Sequence, residues 1–453
     1  MAETSEIWQE KHVIKLRDYK IPTIIVEPDP LKLREEVEPW LTALCQSEHL
    51  SLLTGAGISS AAHYLAEGSS GAGMGKIELS VYQDEIEISA KKAAKKAGRG
   101  DEPNIEDQIR TINDLIKGLE IYLSDIVKEG GNDDEMDEES EDTDDVDLLE
   151  ELQKLKQDLE KGIINFANAV LESENKIVNS NNEEAAEYLM NFLLSFASRI
   201  ATRERLNLFT INYDRVLEFG AELAGLHLID RFVGSISPIF RSSRLNIDMH
   251  YNPPGIRGEP RYLEGVINFT KLHGSLDWLE DDGVVRRFSL PYGAKDISTY
   301  NNNGGSLMIY PNSSKDRETA EYPYVELFRD FASAVIRPNS TIVIYGYSFG
   351  DDHINRVLND MLAIPSTHLV IIAYDDIGGR IKRFYNKAKR PVQISLLIGN
   401  HFGDLKTLVD NYLPKPAIDR TTYKMADLLK TRGFTINTEA KNNAGEEKTD
   451  NNE

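Results

Sequence analysis

Thr341-Ile342-Val343-Ile344-Tyr345-Gly346-Tyr347-Ser348-Phe349-Gly350-Asp351-Asp352 is the stretch from which the fold is read. An unbroken apolar and β-branched run suits a strand buried on both faces, the habit of parallel sheets covered by helices. A polar, glycine-bearing tip ends the run, and a helical period continues from His353 to Leu362. The same order of strand, tip and helix recurs outward from this stretch. Residues 49–54 enter Gly55-Ala56-Gly57-Ile58-Ser59, with a helix following. Residues 206–211 run into Asn212-Tyr213-Asp214 before a helix over 215–224, and residues 266–272 end on His273-Gly274. Residues 306–310, 368–374 and 392–397 read as further strands, with helices around 377–389 and 402–412.

This alternation predicts an α/β fold, a Rossmann-like doubly wound parallel sheet, with an inserted helical subdomain. The expected parts are an N-terminal arm over 1–30, a core over 31–80 and 200–415, a helical insertion over 81–199, and a C-terminal extension over 416–453 that is disordered after about 436. Within the insertion, Ile105, Ile109, Ile112, Leu115, Ile116 and Leu119 recur at threes and fours. The run over about 130–147 is mostly Asp and Glu and cannot bury enough apolar surface to offset its ordering entropy, so it reads as a disordered acidic loop. It lacks the order of Asp, Gly and terminal Glu that a calcium loop needs. Gly68-Ser69-Ser70-Gly71-Ala72-Gly73-Met74-Gly75-Lys76 has some features of a triphosphate loop, but the spacing to Gly75-Lys76 is wrong and Ile77 stands where a magnesium-binding hydroxyl belongs. It reads instead as a glycine-rich loop suited to covering a site.

A formal charge of -24 over 453 residues argues against general affinity for nucleic acid or an anionic membrane. Lone Cys45 excludes an internal disulfide and a four-cysteine zinc site, so no zinc or other metal is expected. No apolar stretch reaches the roughly 20 residues that span a bilayer, and no secretion signal is seen at the N-terminus; a cytoplasmic location is expected.

The tips supply the chemistry. In an open α/β sheet they gather at the carboxyl ends of the strands, where nucleotides bind. A Gly-Ala-Gly turn lets backbone amides approach a pyrophosphate, although it also serves as a tight turn in any doubly wound protein. Asn212 and Asp214 can hold a carboxamide or position a water; they can equally cap the helix that follows. His273 is either a satisfied structural histidine or a base for a ribose hydroxyl or a water.

Taken together, Gly55-Ala56-Gly57-Ile58-Ser59, Thr210-Ile211-Asn212-Tyr213-Asp214, Lys271-Leu272-His273-Gly274 and Gly346-Tyr347-Ser348-Phe349-Gly350-Asp351 resemble the ordered motifs of the sirtuin-like superfamily, in particular the bacterial sirtuin-like NAD hydrolases of antiphage defence. The resemblance covers about 45–80 and 200–415 and leaves the insertion without a motif. It implies that Asn212 orients an attacking water and that His273 acts as base or orienter. It implies that Gly55, Ala56, Gly57 and Ser59 cradle the pyrophosphate of NAD as substrate, that Asp214 faces the nicotinamide and its ribose, and that Gly346, Ser348 and Asp351 bind the adenosine side or close the phosphate site. Deacylases of the family usually carry Thr-Gln-Asn-Ile-Asp and four zinc cysteines; Ile211 and Tyr213 depart from the first and the cysteines are missing. The implied products are therefore nicotinamide and ADP-ribose, with abortive infection as the role. The chain shows no second globular domain that would sense a signal, so control is expected from assembly: a homo-oligomer on a HerA-type hexameric ATPase, ahead of an Argonaute-associated partner. The alternatives are an NAD-dependent protein deacylase and a non-catalytic subunit that binds NAD or ADP-ribose.

Overall fold

The computed structural model describes residues 8–16, 21–71, 73, 75–96, 102–129, 143–199, 203–242, 247–252, 261–299, 306–309 and 322–415. From the N-terminus the elements are β1 (His12–Lys15), β2 (Thr23–Ile25), α1 (Pro30–Cys45), β3 (His49–Thr54) and α2 (Ala56–Glu67). The insertion supplies α3 (Gln83–Lys96), α4 (Ile105–Glu129), α5 (Thr143–Val178) and α6 (Glu184–Ala197). There follow β4 (Leu206–Thr210), α7 (Val216–Leu223), β5 (His227–Ile229), β6 (Phe232–Val233), β7 (Ile239–Phe240), β8 (His250–Tyr251) and β9 (Arg261–Tyr262). Then come β10 (Val266–Lys271), β11 (Gly274–Asp281), β12 (Val284–Arg287), β13 (Ser306–Ile309) and α8 (Tyr324–Val335). The last are β14 (Ser340–Tyr345), α9 (Asp352–Met361), β15 (His368–Ala373), α10 (Arg380–Lys387), β16 (Ile394–Ile398), α11 (Asn400–Gly403) and α12 (Leu405–Asn411).

The main sheet has the order β2-β1-β16-β15-β14-β3-β4-β10-β5, parallel from β16 to β5. Every residue of β14 is buried, as the apolar run requires of a central strand. Its side chains alternate between two cores: Val343 and Tyr345 join Leu52, Ile58, Leu189 and Phe192 on one face, and Ile342 and Ile344 join Phe331, Ile354, Leu358 and Ile381 on the other. The strands after β3 build one half of the sheet through β4 and β10; the chain then returns to lay β14 on the other side of β3. That reversal opens a crevice at the carboxyl ends of β3 and β14.

Four expectations need correction. The arm over 1–30 contains β1, which pairs antiparallel with β16, and β2, which pairs with β1, so this segment extends the main sheet. Residues 306–309 do not belong to the parallel sheet: β13 pairs antiparallel with β11 in a second sheet of order β13-β11-β12-β7-β6. The insertion splits by packing. Helix α6 lies in the main core against α2 and α7, whereas α3, α4 and the first part of α5 form a separate core with Leu276 and Leu279 of β11. The helical period of α5 starts at Thr143, so the acidic stretch is helical over 143–147, because lengthening a helix already nucleated costs little. The rest of the acidic loop and the 416–453 extension lie outside the described residues.

Candidate active site

The crevice holds a cavity of about 300 Å³. Its walls bring together Ala56, Ser59, Asn212, Asp214, His273, Gly346, Ser348 and Asp351, which lie up to 295 positions apart in the chain. Gly57 faces an adjoining hollow of about 780 Å³ that shares Ser60 and Gly346 with the first, and Gly55 lines neither.

The glycines serve backbone packing. A Cβ at Gly55 would stand 2.7 Å from Gly346 O, one at Gly57 2.5 Å from Gly346 Cα, and one at Gly346 2.6 Å from Gly57 Cα. The amides of Gly55 and Gly57 donate to Tyr345 O (3.1 Å) and Gly346 O (3.0 Å). The glycine turn therefore holds β3 and β14 together, and these two amides are committed to the fold where a phosphate cradle was expected. Gly346 has φ +64, a conformation that suits glycine. Phe349, in the same turn, is also left-handed at φ +55; its ring is buried against Tyr347 and Phe384, and that packing offsets a backbone cost of about 1–3 kcal/mol.

Asn212 is buried and its Nδ2 donates to Gly55 O (3.1 Å) and Ser59 Oγ (2.9 Å). Ser59 in turn donates to Asp214 Oδ2 at 2.7 Å, while Asp214 Oδ1 accepts from Val216 N at 3.1 Å. Asp214 thus binds the first amide of α7, from just before the Arg215 cap, and ends a chain from amide to hydroxyl to carboxylate. Asn212 is tied to the glycine turn. Buried Lys271 pins the loop from below, donating to Asp214 O, to Tyr213 O (3.4 Å) and to Glu218 Oε1 (2.9 Å).

His273 sits between β10 and β11, where Gly274 at φ +91 turns the chain from the main sheet into the second one. Its Nε2 lies 3.0 Å from Asp351 Oδ2. The other oxygen of Asp351 accepts from His353 N (2.9 Å) and Ile354 N (3.4 Å), capping α9. A carboxylate only accepts, so the proton is assigned to Nε2 and Nδ1 is left as the basic nitrogen. Asp351, expected to bind the adenosine side or close the phosphate site, pairs here with the histidine.

The far wall comes from the insertion, for which the sequence offered no motif. Helix α5 contributes Phe166, Val170, Ser173, Glu174 and Ile177, and the start of α4 contributes Asn104 and Glu106. Glu174 is fully buried; it accepts from Arg215 N (2.7 Å), Nε (3.3 Å) and one terminal guanidinium nitrogen (2.6 Å). Burial pushes its carboxyl up from the usual range, and the Arg215 contacts pull against that rise. Arg215 also donates to Leu290 O and Pro291 O, so one guanidinium ties α5 to the loop bearing Asn212. His63 of α2 lines the same cavity; its Nδ1 meets Ser69 O (2.7 Å) and Gly71 N (3.0 Å), which places Gly71 and Gly73 at the cavity wall. Among the described residues no group of three or more His, Cys, Asp or Glu side chains could hold a metal, and no helix is long and apolar enough to cross a membrane.

All four tips thus reach one cavity at the reversal of the sheet, the first through Ala56 and Ser59. Residues 206–391 match a family model described as SIR2-like domain. No curated protein matches the chain. The SIR2-like segment runs from β4 to the residues after α10 and contains Asn212, His273 and the 346–351 turn, but neither the glycine turn nor the insertion. The match supports a sirtuin-like core and, with it, chemistry on NAD.

Proposed function

We propose that this protein hydrolyses the nicotinamide–ribose bond of NAD, giving nicotinamide and ADP-ribose. The observation that carries the reading is the meeting of Asn212, fixed by the glycine turn and Ser59, with His273, held by Asp351, in one cavity at the carboxyl edge of the sheet. Two adjoining hollows of about 300 and 780 Å³ suit an elongated substrate with two different ends. Apolar Phe166, Val170 and Ile177 line the inner one and suit a pyridine ring; the outer one, over β14, β15 and β16, adds Tyr64, Tyr374, Asn400 and Asp404 for the adenosine.

Departure of nicotinamide leaves positive charge on the ribose. The carboxylates of Asp214 and Asp351 line the cavity and are fixed before the reaction, so they stabilise that charge without reorganising. Asn212 orients the water that adds to the anomeric carbon as the glycosidic bond breaks. Nδ1 of His273 takes the proton from this water, and Asp351 stabilises the resulting imidazolium. Nicotinamide leaves neutral, carrying the electron pair of the broken bond.

Incubation with NAD, with and without an acylated lysine peptide, tests the proposal. Expected is release of ADP-ribose and nicotinamide without peptide, lost in Asn212→Ala and His273→Ala while their melting transitions persist. Turnover only with peptide would mean deacylation, and stabilisation by ADP-ribose with no product would mean a binding module. The proposed setting, a cytoplasmic NAD-depleting antiphage effector that assembles as a homo-oligomer with a HerA-type ATPase, is supported by the sequence resemblance. The assays are therefore to be repeated with such a partner.

A further inference from the structure

We infer that His63 recognises the carboxamide of the nicotinamide ring and makes the site selective for it over the corresponding carboxylic acid; this rests on the function proposed above. His63 follows Ser59 by one turn of α2, and both side chains line the inner cavity. The residue is 3 % exposed, and its Nε2 is sealed from solvent with no hydrogen-bond partner among the described residues. A buried polar atom left in that state costs free energy that a partner would recover. The fold supplies none, and the cavity beside the ring is where one can enter.

The other ring nitrogen decides what that partner must be. Nδ1 stands 2.7 Å from Ser69 O and 3.0 Å from Gly71 N, and no single tautomer serves both. The shorter contact, to a carbonyl that only accepts, assigns the proton to Nδ1 and leaves Nε2 as an acceptor. A proton on Nε2 instead would be sealed away without an acceptor and would set a lone pair of Nδ1 against Ser69 O. The partner is therefore a donor. A carboxamide brings N–H donors, whereas a carboxylate brings only lone pairs and a charge repelled by Asp214 and Asp351 of the same cavity. The place also suits a pyridine substituent. A Cβ at Gly71 would stand 3.2 Å from Cγ of His63 and 3.2 Å from Oγ of Ser173, so the imidazole and the cavity-lining face of α5 with Val170 and Ile177 flank one glycine. With the Nδ1 proton given to Ser69 O, the Gly71 amide gains nothing from the ring, so this residue lifts at little cost as the pyridine enters and uncovers Nε2.

The test compares kcat/KM for NAD with that for the dinucleotide in which a carboxylate replaces the carboxamide, in the full chain, His63→Asn and His63→Gln. The asparagine amide stands near the place of Nδ1 and can still donate to Ser69 O, but nothing replaces Nε2; the glutamine amide reaches the place of Nε2 and gives up Nδ1. The preference for NAD is expected to fall about tenfold in His63→Asn at an unchanged melting temperature, and to be largely kept in His63→Gln. An undiminished preference in His63→Asn overturns the inference and leaves NAD hydrolysis standing, since the ring would then only anchor the turn at Ser69 and Gly71. A second measurement needs no variant: nicotinamide should inhibit NAD hydrolysis by the unaltered chain at least about tenfold more strongly than nicotinic acid, and equal inhibition also overturns the inference. If the unaltered chain, alone and with its ATPase partner, turns over neither dinucleotide, the proposed function falls and this inference with it.

Discussion

Asp351 is where two demands meet on one side chain. One oxygen satisfies the first amides of α9 and the other holds His273 at 3.0 Å. Asparagine caps a helix about as well as aspartate, so Asp351→Asn separates the demands. The helix keeps its cap, but the amide brings no charge to steady an imidazolium. The expected result is a fall in kcat of about a hundredfold with little change in KM or melting temperature, since a positioned acid–base group contributes about 10²–10⁴ in rate. Equal losses in kcat and in stability would mean that the cap is all that Asp351 provides. Its carboxylate position was visible in the sequence, but its partner was not: His273 lies 78 residues away and nothing local signals the pairing.

At the scale of elements, what was legible follows burial. Strands β3, β4, β10, β14, β15 and β16 are apolar on both faces, and such runs announce themselves. The second sheet has only one covered face over part of its length, and its short strands have no comparable run. One signal for it was there: Asp282-Gly283 adopts left-handed values, φ +48 and +72, between β11 and β12, the usual connection of a two-residue hairpin. Helix α5 misleads in a different way. Glu172-Ser173-Glu174 reads as a solvated face, yet Glu174 is fully buried because Arg215, 41 residues on, meets it. Glu174→Ala would leave that guanidinium buried without its carboxylate, at a cost of about 3–5 kcal/mol. Urea denaturation measures it; a loss below about 1 kcal/mol would show that α5 does not depend on this pair, and the argument that it fixes the cavity's far wall would fail.

For the whole molecule the dominant quantity is charge. With 75 acidic and 51 basic side chains the chain carries a formal -24, so two copies approaching each other in dilute buffer are repelled before any surface can match. The proposed homo-oligomer has to form against that repulsion, whose range is set by salt: the Debye length falls from about 30 Å at 0.01 M to about 8 Å at 0.15 M ionic strength. Self-association driven by apolar contact would consequently strengthen as salt is added, whereas assembly held by ion pairs between copies would weaken. Because acidic side chains so outnumber basic ones, the first behaviour is expected. Sedimentation velocity of the chain alone at these two ionic strengths should show the larger species gaining at the higher one, with NAD hydrolysis per chain rising in parallel if assembly controls activity. A monomer at both ionic strengths, with full activity, would remove self-assembly from the mechanism and leave control to a partner of different sequence, whose docking face would then need to be basic enough to offset the field of this one.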